Sequence, residues 1–331
     1  MQAIGFNGIE FVKFEKELNS PSGHDLLIEI HAISMNPIDT KIKQTITGKQ
    51  EVPVILGFDA CGIVRKVGDK ASLFKAGDEV FYAGDMTRDG SNATHQLVDE
   101  RIVGIKPSSL SFDQAAALPL TSITAWESLF HRLKIGPQDK GKTILLIGAA
   151  GGVGSIAIQL SKKVAELNVI ATASRDQSKK WCERMGADTV LDHNNLSQQF
   201  KNNNLAEPDF ILCMGNPDQY FETMSELIAP QGAICLLANA GKDYDINLLK
   251  AKSITLVWEM MFTRSMFETD DMIKQHEILN EISSLVDNDK IMTTSMCRLS
   301  PVSVENITKA HATIGKADMI GKLVISSEHF Q

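Results

Sequence analysis

Cysteine is scarce and scattered: Cys61, Cys182, Cys213, Cys235 and Cys297 are odd in number and far apart, which excludes a disulfide framework. Reduced thiols and a cytoplasmic setting are expected. The opening residues, MQAIGFNGIEFVKF, lack a basic stretch followed by an apolar one, and no long uncharged apolar run comes later. No export signal and no membrane anchor is expected. Basic tracts are missing too. Lys and Arg number 33 against 41 Asp and Glu, a formal net charge of -8, so nucleic acid is not an expected partner. The eight histidines show no HxxxH or HExxH spacing, and neither an internal repeat nor a low-complexity segment is found.

What is present is a globular composition, 43% hydrophobic, 22% charged and 6% aromatic, over 331 residues. That length is generous for one hydrophobic core and suits two. The first hundred residues read as short strands at Leu26–Ser34, Cys61–Val67, Glu79–Ala83 and His95–Val98, with glycines between them. A compact, partly barrel-like β domain is expected there. From Ser111 the texture becomes helical around Pro119, with Ser111 and Gln114 spaced as a capping box. Strand candidates Thr143–Ile147, Val169–Ala173, Thr189–Leu191, Phe210–Met214 and Ala233–Ala238 then alternate with helices at Val153–Glu166, Gln177–Met185 and Gln219–Ile228. Continuous apolar strands between amphipathic helices imply a parallel sheet covered on both faces. Beyond Ser253 come a strand at Ile254–Trp258, helices near Asp271–Val286 and Val304–Ile314, and a closing strand at Lys322–Ile325. The fold expected is α/β, a doubly wound unit inserted into a β-rich one, with linkers near 115–122 and 255–290.

The strongest motif is TILLIGAAGGVGSIAIQLSK, Thr143–Lys162, an apolar strand that runs through Gly148, Gly151, Gly152, Val153 and Gly154 into a helix. Glycine allows the tight turn and the approach of backbone N–H groups to a pyrophosphate, and the helix N-terminus favours an anion. This reads as a dinucleotide-binding turn with alanine in place of the first glycine of GxGxxG. About 20 residues further on, NAD sites carry an acid for the ribose 2′-OH. Here the strand ends on Ser174 and Arg175, with Lys179 and Lys180 behind. A hydroxyl and a guanidinium suit a 2′-phosphate, so NADPH is expected. Asp176 is expected as the N-cap of the next helix.

These residues, with AISMNPIDTKIK (32–43), LGFDACGIVRKVG (56–68), KAGDEVFYAG (75–84), AAALPLTSITAWESL (115–129) and IGKLVI (320–325), resemble the medium-chain dehydrogenase/reductase superfamily along nearly the whole chain. The similarity is to its quinone oxidoreductase-like branch and the bacterial zinc-type alcohol dehydrogenase-like proteins. It implies a GroES-like β-rich domain from residues 1–121 with 290–331, a Rossmann domain at 122–289, a substrate cleft between them, a small-molecule substrate and a homodimer. Zinc-containing relatives place cysteine where Asn36 stands and Gly-His-Glu where Gly57, Phe58 and Asp59 stand, and Gly84–Gln96 holds no cysteine. No zinc is therefore expected. The resemblance assigns Asn36, Asp39, Asp59, Tyr82 and Thr124 to the catalytic cleft, with Thr124 also at the nicotinamide. Relatives often carry tyrosine eleven residues after the asparagine, where this chain has Thr47. That departure favours hydride addition to a quinone or α,β-unsaturated ketone, with water as proton source, over acyl-thioester reduction. The competing expectations are a zinc alcohol dehydrogenase and a nucleotide-binding sensor or structural protein without turnover.

Overall fold

The computed structural model describes residues 1–326. The chain forms two compact units, one from Met1–Ile123 and the chain from Phe262 onward, the other from Thr124–Met261.

In the first unit, strands β1 (Gln2–Phe6) and β2 (Phe11–Glu15) form a hairpin, and β4 (Val54–Ile55) pairs with the far edge of β1. The hairpin is absent from the strands expected above. Between them lies β3 (Asp25–Ser34), followed by β5 (Asp59–Val67), β6 (Glu79–Tyr82), β7 (His95–Asp99) and β8 (Val103–Ile105). Every second residue of β3 is buried along most of its length, as a strand with one face on a core requires. The core gathers Leu26, Ile28, Ile30, Val64, Val80, Tyr82 and Val103.

The second unit holds β9 (Thr143–Ile147), β10 (Asn168–Thr172), β11 (Thr189–Leu191), β12 (Phe210–Cys213), β13 (Ala233–Leu236) and β14 (Thr255–Trp258). They form one sheet in the order β11-β10-β9-β12-β13-β14, every pair parallel. This is the doubly wound order, which reverses direction beside β9 and puts a crevice at its carboxyl end. Helices Gly152–Lys163, Asp176–Met185 and Phe221–Leu227 connect the strands.

The chain then returns to the first unit with β15 (Ser295–Leu299) and β16 (Lys322–Ser326). β16 pairs antiparallel with β3, completing a seven-stranded sheet in the order β15-β16-β3-β5-β6-β8, with β7 also on β3.

Two local details differ from the sequence reading. The helical stretch around Pro119 is two helices, Phe112–Ala116 and Pro119–Trp126, running on into a π-turn at Glu127–Arg132. The residue before a proline is disfavoured in helical conformation, which separates the first two. The Ser111–Gln114 capping box is present. The second crossing between units falls after Met261 instead of near 289. Helix Lys274–Asp287 is the reason, because it packs on β8: Ile105 N–H donates to Asn280 (2.9 Å), and Asp287 accepts from the backbone and hydroxyls of Ser108 and Ser109.

Candidate functional site

In the second unit, β9 ends at Gly148, whose φ of 82° lies in the left-handed region that glycine enters without strain. Its N–H donates to Thr172 Oγ1 (3.0 Å), which ties the turn to β10. At Gly154 the reason for glycine is space. A Cβ there would sit 2.3 Å from the carbonyl oxygen of Ala149, so only glycine lets the helix start this close to the strand end. By contrast, a Cβ at Gly151 would meet nothing nearer than the Gly148 oxygen at 3.9 Å. Gly151 is the N-cap of helix Gly152–Lys163 and provides no capping side chain, so the first-turn N–H groups of Gly152, Val153 and Gly154 remain for an anion. The turn is braced from below, where Ser155 Oγ donates to Gly151 O (2.7 Å) and accepts from Trp181 Nε1 (2.8 Å).

At the carboxyl end of β10, Ser174 and Arg175 are exposed and Lys179 is half-buried one turn into the next helix. Asp176 is not the N-cap expected for it. That position belongs to Arg175, whose N–H donates to Ser178 Oγ (3.2 Å), and Asp176 is the first helical residue. Thr124, in helix Pro119–Trp126, is nearly buried, and its carbonyl accepts from Ser128 Oγ (2.7 Å). A polar cavity of about 680 Å³ opens beyond β11, lined by His193, Ser197, Lys201, Gln219, Tyr220 and Thr223. None of the residues singled out in the sequence lines it.

The polar residues of the first unit are turned inward. Asn36 caps helix Pro37–Thr45 by position only: its backbone N–H donates to Asp39 Oδ2 (2.6 Å), while its side chain is engaged elsewhere. Asn36 Nδ2 donates to Asp59 Oδ2 (2.8 Å), and Asn36 Oδ1 accepts from Lys322 Nζ (2.6 Å). Asp59 is fully buried; its Oδ2 also accepts from Lys322 Nζ (2.8 Å) and its Oδ1 from Leu120 N–H (2.7 Å). Burial raises the Asp39 carboxyl to about 7, although the backbone N–H groups of Asn36 and Gly57 pull it back. Tyr82, expected to close a cleft strand, is fully buried with its hydroxyl donating to Gln96 Oε1 (3.0 Å), and burial lifts its pKa well above the phenol range. The first unit thus brings Asn36, Asp39 and Asp59 together and leaves Tyr82 in a separate hydrogen bond.

Residues 22–124 match the family model for the alcohol dehydrogenase GroES-like domain, and residues 152–277 the one for zinc-binding dehydrogenase. A zinc-type alcohol dehydrogenase-like protein of Staphylococcus epidermidis is 43% identical over 98% of this chain and 99% of its own length. The chain belongs to the medium-chain dehydrogenase/reductase superfamily. Among solved structures, a zinc-dependent alcohol dehydrogenase of Rhizobium etli, so described provisionally, superposes with a TM-score of 0.93 at 42% identity, covering 98% of both chains. A quinone oxidoreductase of Escherichia coli, solved with NADPH, superposes at 0.81 over 98% of this chain and 100% of its own. At 22% identity that likeness is one of fold. The protein is therefore an oxidoreductase of this superfamily, with a GroES-like unit and a Rossmann unit.

The zinc in those names does not fit this member's side chains. Phe58 is an aromatic ring packed 4.8 Å from that of Phe262, Asn36 supplies an amide, and Asp59 has both oxygens occupied by protein donors. Among the described residues, no three His, Cys, Asp or Glu side chains converge as a metal site. The residue that sequence reasoning missed is Lys322. Its signal was a lysine opening the apolar strand KLVIS, buried to 3% exposure where lysine is rarely found without partners.

Proposed function

We propose that this oxidoreductase is NADPH-dependent and zinc-independent, and that it reduces quinones or α,β-unsaturated carbonyl compounds. One observation carries the reading: an uncapped helix N-terminus behind a glycine turn, with Ser174 and Arg175 exposed at the end of the neighbouring strand, ahead of the first acid, Asp176. Gly148, Gly151, Gly152, Val153 and Gly154 would hold the pyrophosphate through backbone N–H groups. Ser174, Arg175 and Lys179 would hold the 2′-phosphate, with the guanidinium giving a charge-assisted, bidentate contact. Thr124 would orient the nicotinamide side. NADPH, when bound, supplies the hydride; the chain supplies position and polarity. With Thr47 where relatives often have tyrosine, water supplies the proton.

A cytoplasmic setting suits the free thiols. A homodimer through β14 completes the proposal: it is the last strand of its sheet, none of its four residues is buried, and Trp258 is 46% exposed. Turnover is tested by following NADPH absorbance against a panel of quinones and enones with a strong chelator present. Oxidation of NADPH at an undiminished rate is expected. Activity that tracks about one zinc per chain, and vanishes in chelator, would overturn the zinc-independent reading.

A further inference from the structure

Three distant segments of the first unit meet at one ammonium group. Lys322 opens β16, and all three of its protons are used: by Met35 O at 2.8 Å, Asn36 Oδ1 at 2.6 Å and Asp59 Oδ2 at 2.8 Å. Asp59 then passes the constraint onward. Its second oxygen accepts from the N–H of Leu120, the second residue of helix Pro119–Trp126, one turn ahead of Thr124. On the other side, Asn36 leads directly into helix Pro37–Thr45, whose first turn is fixed by Asp39. Lys322, Asp59 and Asn36 are 3%, 0% and 1% exposed, so the charges face one another and not solvent.

We infer that Lys322 is a positioning residue for hydride transfer, a built-in cation that ties Asn36 and Asp59 to the start of β16. The inference deepens the reading of the protein as a zinc-independent reductase and rests on it. The physical reason is that a protonated amine has fixed donor directions. Met35 O, Asn36 Oδ1 and Asp59 Oδ2 satisfy those directions completely, so the ammonium holds the starts of two helices and a strand in one arrangement with no exchangeable ligand. Such a centre offers no open coordination position to substrate. It acts through Asp59 and the N–H of Leu120, and does not touch the reacting atoms itself.

The test separates packing from positioning with two variants, Lys322→Met and the double variant Lys322→Met/Asp59→Asn. Methionine keeps the length and flexibility of the lysine stem. Lys322→Met leaves Asp59 buried without its counter-charge, and Tm should fall by roughly 10 °C. The double variant removes both charges together and should recover most of that loss. If Lys322 positions the site, kcat with a naphthoquinone stays at least tenfold below the parent in the recovered protein. The Kd for NADPH should move less than threefold, because the glycine turn and Arg175 belong to the other unit. A double variant with parental Tm and parental kcat would overturn the inference and leave the reductase reading intact. A parent protein that oxidises NADPH with none of the acceptors overturns the reductase reading and the inference with it.

Discussion

The glycine turn and the Lys322 centre are both polar sites at the ends of apolar strands, but one is built from a single short run and the other joins residues up to 287 positions apart. The first leaves backbone donors open and places its charged side chains in solvent. The second closes every donor on a protein acceptor. An open set of N–H groups on a rigid strand-to-helix turn is a ligand site, whereas a closed, buried ion pair is an internal brace. The comparison predicts that damage to the turn acts on nucleotide binding, and that damage to the brace acts on stability and on catalysis at unchanged nucleotide affinity.

The largest effect is expected inside the turn. Gly154→Val would force a side chain into the backbone of Ala149 and should cost about 3 kcal/mol or more in unfolding free energy. Gly151→Ala has room for its methyl group and should keep stability within about 0.5 kcal/mol while weakening NADPH. Denaturant unfolding with NADPH titration checks the pair; equal destabilisation by both would remove the distinction between a packing glycine and a ligand-facing one.

Next comes the brace. Asn36→Ala deprives Asp59 of one donor and Lys322 of one acceptor, both buried, and should destabilise by about 1–3 kcal/mol with the NADPH Kd unchanged. If thermal melts of Asn36→Ala overlay those of the parent, the amide is not held by the network. A selective loss of kcat without loss of stability would restore Asn36 to the substrate-facing role expected from the resemblance.

How much of this was legible follows from the same contrast. The turn could be read because strand, glycines and helix are consecutive. The doubly wound sheet was legible for the same reason, its strands being local apolar runs between helices. The resemblance picks out Asn36, Asp39 and Asp59, but not the direction they face. That direction depends on Lys322, whose pairing with them requires β16 to return beside β3. The partner of Tyr82 is hidden in the same way, because Gln96 lies on another strand. Helix Lys274–Asp287 falls beyond Ser253, after the alternating pattern, and its hydrogen bonds to β8 and Ser108–Ser109 assign it to the first unit.

A smaller effect probes a second buried polar residue of the first unit. His311 is 4% exposed and packs 4.7 Å from the Phe11 ring, and burial, helped by Lys43, lowers its pKa from 6.5 to about 4. The unfolded chain then takes up the proton first, so the contribution of neutral His311 is held above about pH 6.5 and lost as pH falls toward 4. His311→Leu should flatten this part of the acid limb, and the gap in Tm between variant and parent should widen from pH 7 to pH 4.5. Parallel curves would show that His311 does not titrate in that window.

An NADPH site at the open glycine turn is checked by titrating NADPH and NADH into nucleotide-free protein and into Arg175→Ala. A charge-assisted contact to the 2′-phosphate is worth roughly 1.5–3 kcal/mol, so NADPH should bind the parent about ten- to a hundredfold more tightly than NADH. That preference should collapse in Arg175→Ala while NADH affinity stays put. Equal affinities for the two nucleotides in the parent protein would contradict the account.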